Sequence, residues 1–374
     1  MKLSHTKLNT ILSCPMTYYL NYKEGITPKE EKKAFSIGSA FHWGVEHSTE
    51  NLEEYYKDEK GIDAGDYGED ELLAESMVHG YLKHKDEIFE DILDDGNGGK
   101  YELVDETHEL EIWSKLKSYS HPETPHDFQG IIDLLLSVKN KDGEIGFILI
   151  DYKTSSRTPD WDDYLDQIYR YIFLLESEFP GVPVLKIGII NARKASIKIK
   201  KNENKESFLH RLKLEYDIND NNYICYHIFD PAELDRNLID NYIDNLSRMA
   251  DMADNIDTNK LFFINYKNAK NQYGKSQYYD IFYGVPDCYM LYKIKDTIWD
   301  EDDNVITKER DCLPLDMQVI NHTNVLNHYS KFKNAIDGSL NKSEMNKKLK
   351  SMFITDESLL EKYWRTYDNE NKLK

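Results

Sequence analysis

The 374-residue sequence predicts a mixed α/β protein: a central sheet with one crossover helix, a helical lobe before it and a helical extension after it. Three observations predict this. The runs "THELEIWSKL", "DFQGIIDLLLSVKN", "EIGFILIDYKT" and "VLKIGIINAR" are alternating or continuously apolar, as strands are. An amphipathic run, "PDWDDYLDQIYRYIFLLESEF", separates the last two. Helical periodicity fills the residues on either side. The resulting order β-β-β-α-β is that of an α/β core.

Taken in order, residues 4–24 read as a helix, with Ser4 as a cap and Leu8, Ile11, Leu12, Tyr19 and Leu20 on one side. Pro15 predicts a break or kink near its middle. A second helical stretch over 34–56 carries "GSAFHWGVEH", and a strongly acidic third covers 70–93. The Gly- and Asp-rich "DDGNGGK" closes this lobe, residues 1–100. Residues 101–255 hold the sheet. The turn "NKDG" joins two of its strands, "VLKIGIINARKASIKIKK" is a strand or hairpin, and "NYICYHIF" adds another strand. A long helix over 231–255 opens at Asp230-Pro231, a cap followed by a first-turn proline. Residues 256–315 are aromatic and irregular, and 316–374 are expected to be a helical extension.

A composition 40% hydrophobic and 12% aromatic, with 27 tyrosines, is that of a folded chain. No stretch has the apolar run of a secretory signal or a membrane span, so the expectation is a cytoplasmic protein without a membrane partner. The four cysteines are scattered, which excludes a locally legible disulfide framework or four-cysteine zinc site. The net charge of -21 opposes nonspecific attraction to nucleic acid, so any such site must be local.

Asp133 lies inside one apolar strand and Asp151 ends the next, across a tight turn. Pairing those strands brings the two carboxylates together, which is costly unless a cation compensates. Hard oxygen ligands suit Mg2+ or Mn2+. Lys153 shares a face with Asp151 and can hold an attacking water or neutralise developing phosphate charge. Tyr152 faces away, with its backbone carbonyl as a further candidate ligand. On a helix, Gln167 and Tyr171 share one face, and Thr154 is a candidate phosphate contact. Glu109 and Glu111 each offer another carboxylate, and spacing does not choose between them.

Asp133 after Gly130, the D-Y-K-T strand end and Q-x-x-x-Y on the next helix together resemble the PD-(D/E)XK nuclease superfamily. The opening "LSHTKLNTILSCPMTYYLNY" and "GSAFH" narrow the resemblance to its RecB/AddB/Cas4-like exonuclease branch. The resemblance implies a restriction-endonuclease-like core, a mixed central sheet flanked by helices. It also implies His42, Asp133 and Asp151 as metal ligands, Lys153 assisting the nucleophilic water, and Gln167 and Tyr171 supporting the site or touching DNA. A basic groove is expected from Lys153, Arg157, Arg193, Lys194, Lys198 and Lys200.

Iron-sulfur members of that branch pair the early cysteine with a late cysteine run. Here Tyr273, Ser276 and Phe282 stand at the late positions, so no cluster is expected. "AKNQYGKS" falls one glycine short of a nucleotide-binding loop. The expected function is a Mg2+- or Mn2+-dependent deoxyribonuclease, an exonuclease on ends or single strands in recombination, repair or phage and defence DNA processing. A helicase or recombination protein is the expected partner. The alternative is a catalytically silent nuclease-fold subunit of a larger assembly.

Overall fold

The computed structural model describes residues 2–29, 33–96, 98–271, 274–283, 288–299 and 305–312. The expected extension over 316–374 lies outside them. The chain forms two compact units, and these do not follow the expected consecutive segments. The first is Met1–His5 with Glu31–Asp254; the second is Thr6–Glu30 with Asn255–Lys374. The helical lobe expected over 1–100 is thus divided, because its apolar helix faces pack into two different cores.

The first unit opens with strand β1 (Lys2–Ser4), followed by helices α1 (Lys33–Glu46), α2 (Glu53–Lys60) and α3 (Glu69–Leu93). Strands β2 (Glu102–Leu116), β3 (His126–Lys139) and β4 (Ile145–Ser155) follow, then helix α4 (Leu165–Glu178) and strand β5 (Val184–Arg193). Helix α5 (Lys205–Ile218), strand β6 (Ile224–Phe229) and helix α6 (Arg236–Thr258), which belongs to this unit as far as Asp254, complete it. The sheet is mixed: β2–β3, β3–β4 and β5–β6 are antiparallel, whereas β1–β3 and the crossover pair β4–β5 are parallel. This is the α/β architecture that the strand order predicted.

One detail of the pairing positions the site. β2 runs along one edge of β3 from Glu102↔Lys139 to Leu116↔His126. The opposite edge is shared: Asp127–Gln129 pair with β1, and Leu134–Lys139 pair with β4. Between the two partners lie residues 130–133, where β4 has parted from β3.

The face of the sheet bearing Leu134, Leu136, Ile148, Ile150 and Ile190 forms one core with Phe41, Met77, Tyr81 and Tyr216, from α1, α3 and α5. In mid-helix, Gly80 lets α3 meet α5, because a Cβ there would lie 2.8 Å from the Tyr216 ring. On the other side α4 buries Ile168, Tyr171, Ile172 and Leu175.

Several local expectations change. The stretch over 34–56 falls in two helices, α1 and α2; the Ser48 and Thr49 amides turn back to Val45 and Gly44 and end the first of them. The single helix expected over 4–24 is instead a helix at His5–Ser13, a short helix at Pro15–Tyr18 and a π turn at Tyr19–Lys23, broken where Pro15 lacks an amide. Asp230 caps a 3-10 turn, Pro231–Glu233, before α6 begins. Residues 194–200 add no second strand after β5, so the hairpin alternative falls. α5 was not anticipated; Asn204 caps it by accepting the Ser207 amide.

In the second unit Ile26–Pro28 and Val305–Asp311 flank Tyr292–Trp299 in a three-stranded antiparallel sheet. Cys14, Leu20, Ile26, Tyr278, Phe282, Tyr292, Ile294 and Cys312 form its core. Tyr278 and Phe282, from the aromatic stretch over 256–315, are buried there, while Tyr273 lies outside the described residues.

Candidate active site

The gap between β1 and β4 is where the titratable side chains converge. Gly130 stands at its start because α4 passes so close that a Cβ would lie 2.5 Å from Leu174 Cδ1. At its end, Asp133 Oδ2 accepts the Tyr152 amide at 2.7 Å, a donor released where β4 leaves β3. The Tyr152 side chain faces away from the site, as expected, and turns into the opposite core, where the hydroxyl meets that of Tyr81 at 2.9 Å.

Asp151 is 1% exposed and held on one side only. Its Oδ1 accepts the Gln167 amide at 2.7 Å and the Tyr171 hydroxyl at 2.8 Å, both from one face of α4. Gln167 also donates to the Tyr171 oxygen at 2.7 Å. The buried Oδ2 accepts no well-directed hydrogen bond, and the Lys153 ammonium sits 2.5 Å from it. The contact is therefore an ion pair without hydrogen-bond alignment.

His42 reaches the site from α1, its Nδ1 3.6 Å from Asp133 Oδ2. Glu109 arrives from β2. The pairs His108↔Leu134 and Leu110↔Ile132 set it opposite Asp133, yet its φ is 47°, a left-handed value for a non-glycine residue in a strand. Ligand atoms of His42, Glu109 and Asp133 lie within 4.8 Å of one another. Glu111, the alternative at sequence level, instead bonds Gln129.

The electrostatics agree with the geometry. Burial, then the charge of Asp151, holds the Asp133 carboxyl well above the ordinary carboxylate range. Burial, then Asp133, raises Glu109. Burial, then Lys153, lowers His42 and favours the neutral imidazole that ligates metals. Closely spaced oxygens with suppressed ionisation, one neutral imidazole and a buried carboxylate oxygen without a directed donor fit a hard divalent cation.

A family model described as the PD-(D/E)XK nuclease superfamily matches residues 2–278. The chain belongs to the PD-(D/E)XK nuclease superfamily. A comparison with curated proteins finds no match. Among solved structures, the chain is similar to a protein from Eubacterium rectale whose crystal structure is described as a "Putative exonuclease". The identity is 13% and the TM-score 0.35, over 63% of this chain and 86% of that one.

On this nuclease core the remaining site candidates separate. Thr154 and Lys194 line a cleft with Gly38, His42, Trp43 and Glu109. Arg157 is exposed, its guanidinium 3.6 Å from Asp163. Arg193 donates to the Asn222 carbonyl at 2.7 Å, and Lys198 pairs with Glu69 at 3.0 Å. Of the expected basic groove, Lys153 and Lys194 stand with the acids, whereas Arg157, Arg193 and Lys198 meet partners of their own and Lys200 engages Glu203 through its backbone amide. Two residues were missed. His5, just beyond β1, is pushed down to about 4 by burial, then by the charges of Arg170 and Lys153. Buried Arg170 bonds the Asp166 carbonyl at 3.2 Å. The motif segment "LSHTKL" contains His5, but only the register of β1 on β3 brings it to this end of the sheet.

Proposed function

We propose that the chain is a divalent-metal-dependent deoxyribonuclease of the RecB/AddB/Cas4-like branch, acting as an exonuclease on DNA ends or single strands. The observation that carries the reading is the pair Asp133 and Asp151 on neighbouring strands, with Lys153 against one and His42 and Glu109 against the other. His42, Glu109, Asp133 and Asp151 are the residues that would hold Mg2+ or Mn2+. Such an ion supplies Lewis-acid polarisation of the phosphoryl oxygens and a lowered pKa for bound water.

The other groups act through position and charge. Gln167 and Tyr171 fix Asp151 Oδ1, so Oδ2 keeps its orientation towards Lys153. The Lys153 ammonium donates to the attacking water and balances charge that builds on the phosphoryl oxygens. His42 stays neutral beside that ammonium and keeps its lone pair for a ligand. Thr154 and Lys194, in the adjoining cleft, contact the phosphate on one side of the scissile bond.

The test is cleavage of end-labelled linear single- and double-stranded DNA and of closed circular DNA in Mg2+ or Mn2+. The expected outcome is nucleotide release from linear DNA, with circles intact and Asp151→Ala silent. Lys153→Ala should lose about 100-fold or more in rate. Nicking of closed circles overturns the exonuclease reading. Absence of cleavage with either metal, or full activity in Lys153→Ala, overturns the nuclease reading.

A further inference from the structure

In the second unit, residues 258–283 carry four lysines, Lys260, Lys267, Lys270 and Lys275, against one aspartate, Asp280, in a chain of net charge -21. Two of the lysines are forced together. The short strands Lys270–Asn271 and Gly274–Lys275 pair antiparallel with Lys270 directly opposite Lys275, an arrangement that costs stability unless an anion lies over it. Among the described residues, Lys275 approaches Asp280 at 4.0 Å, and Lys267 and Lys270 pair with no acid.

Beside these charges runs a row of tyrosine rings. Tyr266 meets Tyr283 edge to face at 5.6 Å, and Tyr283 stacks on Tyr279 at 4.4 Å and 26°. Lys275 Nζ sits 4.3 Å over the Tyr279 ring. Tyr278, next in sequence, is fully buried, yet Tyr266 is 54% and Tyr283 50% exposed. Rings used only for packing bury their faces, and these two leave much of theirs in water. Stacked rings with interleaved lysines are the chemistry that binds single-stranded nucleic acid: the bases stack and the cations follow the phosphates.

We propose that Tyr266, Tyr279 and Tyr283, with Lys267, Lys270 and Lys275, form a stacking platform for single-stranded DNA. The choice of DNA rests on the proposed nuclease function; the platform rests on the rings and charges. It is a binding surface in its own right, built from residues outside the acidic cluster.

The test uses the full chain carrying Asp151→Asn in EDTA, with fluorescence anisotropy of a labelled oligothymidylate and of an abasic strand of equal length. Tyr266→Ala with Tyr283→Ala should weaken oligothymidylate binding by about fivefold or more and leave the abasic strand unchanged. Tyr266→Phe with Tyr283→Trp should restore it. Lys267→Gln with Lys270→Gln should weaken both strands alike and flatten the salt dependence. Unchanged binding by the tyrosine variants, equal loss on both strands, or no binding by the parent chain overturns the platform. Binding through these tyrosines together with no cleavage by the wild-type chain in Mg2+ or Mn2+ overturns the nuclease reading alone. Cleavage by the wild-type chain together with normal binding by the tyrosine variants overturns the platform alone.

Discussion

Glu109 is held in a backbone conformation that its side chain disfavours. A left-handed φ costs a non-glycine residue about 1–2 kcal/mol, and here it directs a carboxylate towards His42 and Asp133. If that strain serves the site, stability and activity should separate on substitution. Glu109→Gly is expected to melt at or above the wild-type temperature, because glycine adopts the conformation without penalty. Glu109→Ala keeps the strain and should melt below the glycine variant. Both should lose about 10- to 100-fold in metal affinity or metal-dependent cleavage. Thermal melts together with cleavage assays check this; a glycine variant less stable than the alanine variant removes the strain argument.

Between elements, α4 fits tightly on β3 at Gly130. Gly130→Ala must displace the buried Leu174, and is expected to cost about 1–3 kcal/mol in chemical denaturation. A second junction ties the β2–β3 turn to α6 through one carboxylate. Asp251 accepts the Ser118 hydroxyl at 2.7 Å, the Tyr119 and Ser120 amides at 2.7 and 3.0 Å, and contacts His126 Nε2 at 2.7 Å. Burial pushes its carboxyl up, but bonds from His126 and Ser118 outweigh burial and leave it below the ordinary value. A carboxyl lowered on folding contributes stability above its unfolded pKa and loses it as pH falls through the folded one. The stability gap between wild type and Asp251→Asn should therefore be widest near neutrality and shrink below about pH 4; a gap constant with pH contradicts this. The strands around Asp133 and Asp151 were legible because β-branched runs and a four-residue turn leave little freedom in their pairing. Glu109 was not distinguishable from Glu111, since alternation assumes ordinary strand dihedrals and Glu109 breaks them. α5 was hidden because it follows a basic stretch and its few core residues, Phe208, Leu212 and Tyr216, mark only a narrow face.

For the whole molecule, the first unit carries a charge conflict that a cation would relieve, so metal binding and fold stability are linked. Mn2+ at about 100 times its dissociation constant should add about 2.7 kcal/mol, seen as a raised melting temperature. Asp133→Asn should abolish that rise; an equal rise in the variant would move metal binding elsewhere. Residues 6–30 leave the segments around them to join residues beyond 254, and this was not legible in advance because such pairing has no local signature. Among the described residues, no helix is long and apolar enough to cross a membrane. The division of the chain also sets a schedule for its assembly. Thr6–Glu30 shares a unit with residues from Asn255 onward, so during synthesis at about 5–20 residues per second it waits roughly 10–50 s for its partner. Leu20 and Ile26, fully buried in a core they share with Tyr278, Phe282 and Tyr292, spend that interval without the surface that covers them. The nascent chain must close its longest loop last, and this makes the second unit the stage at which folding competes with aggregation.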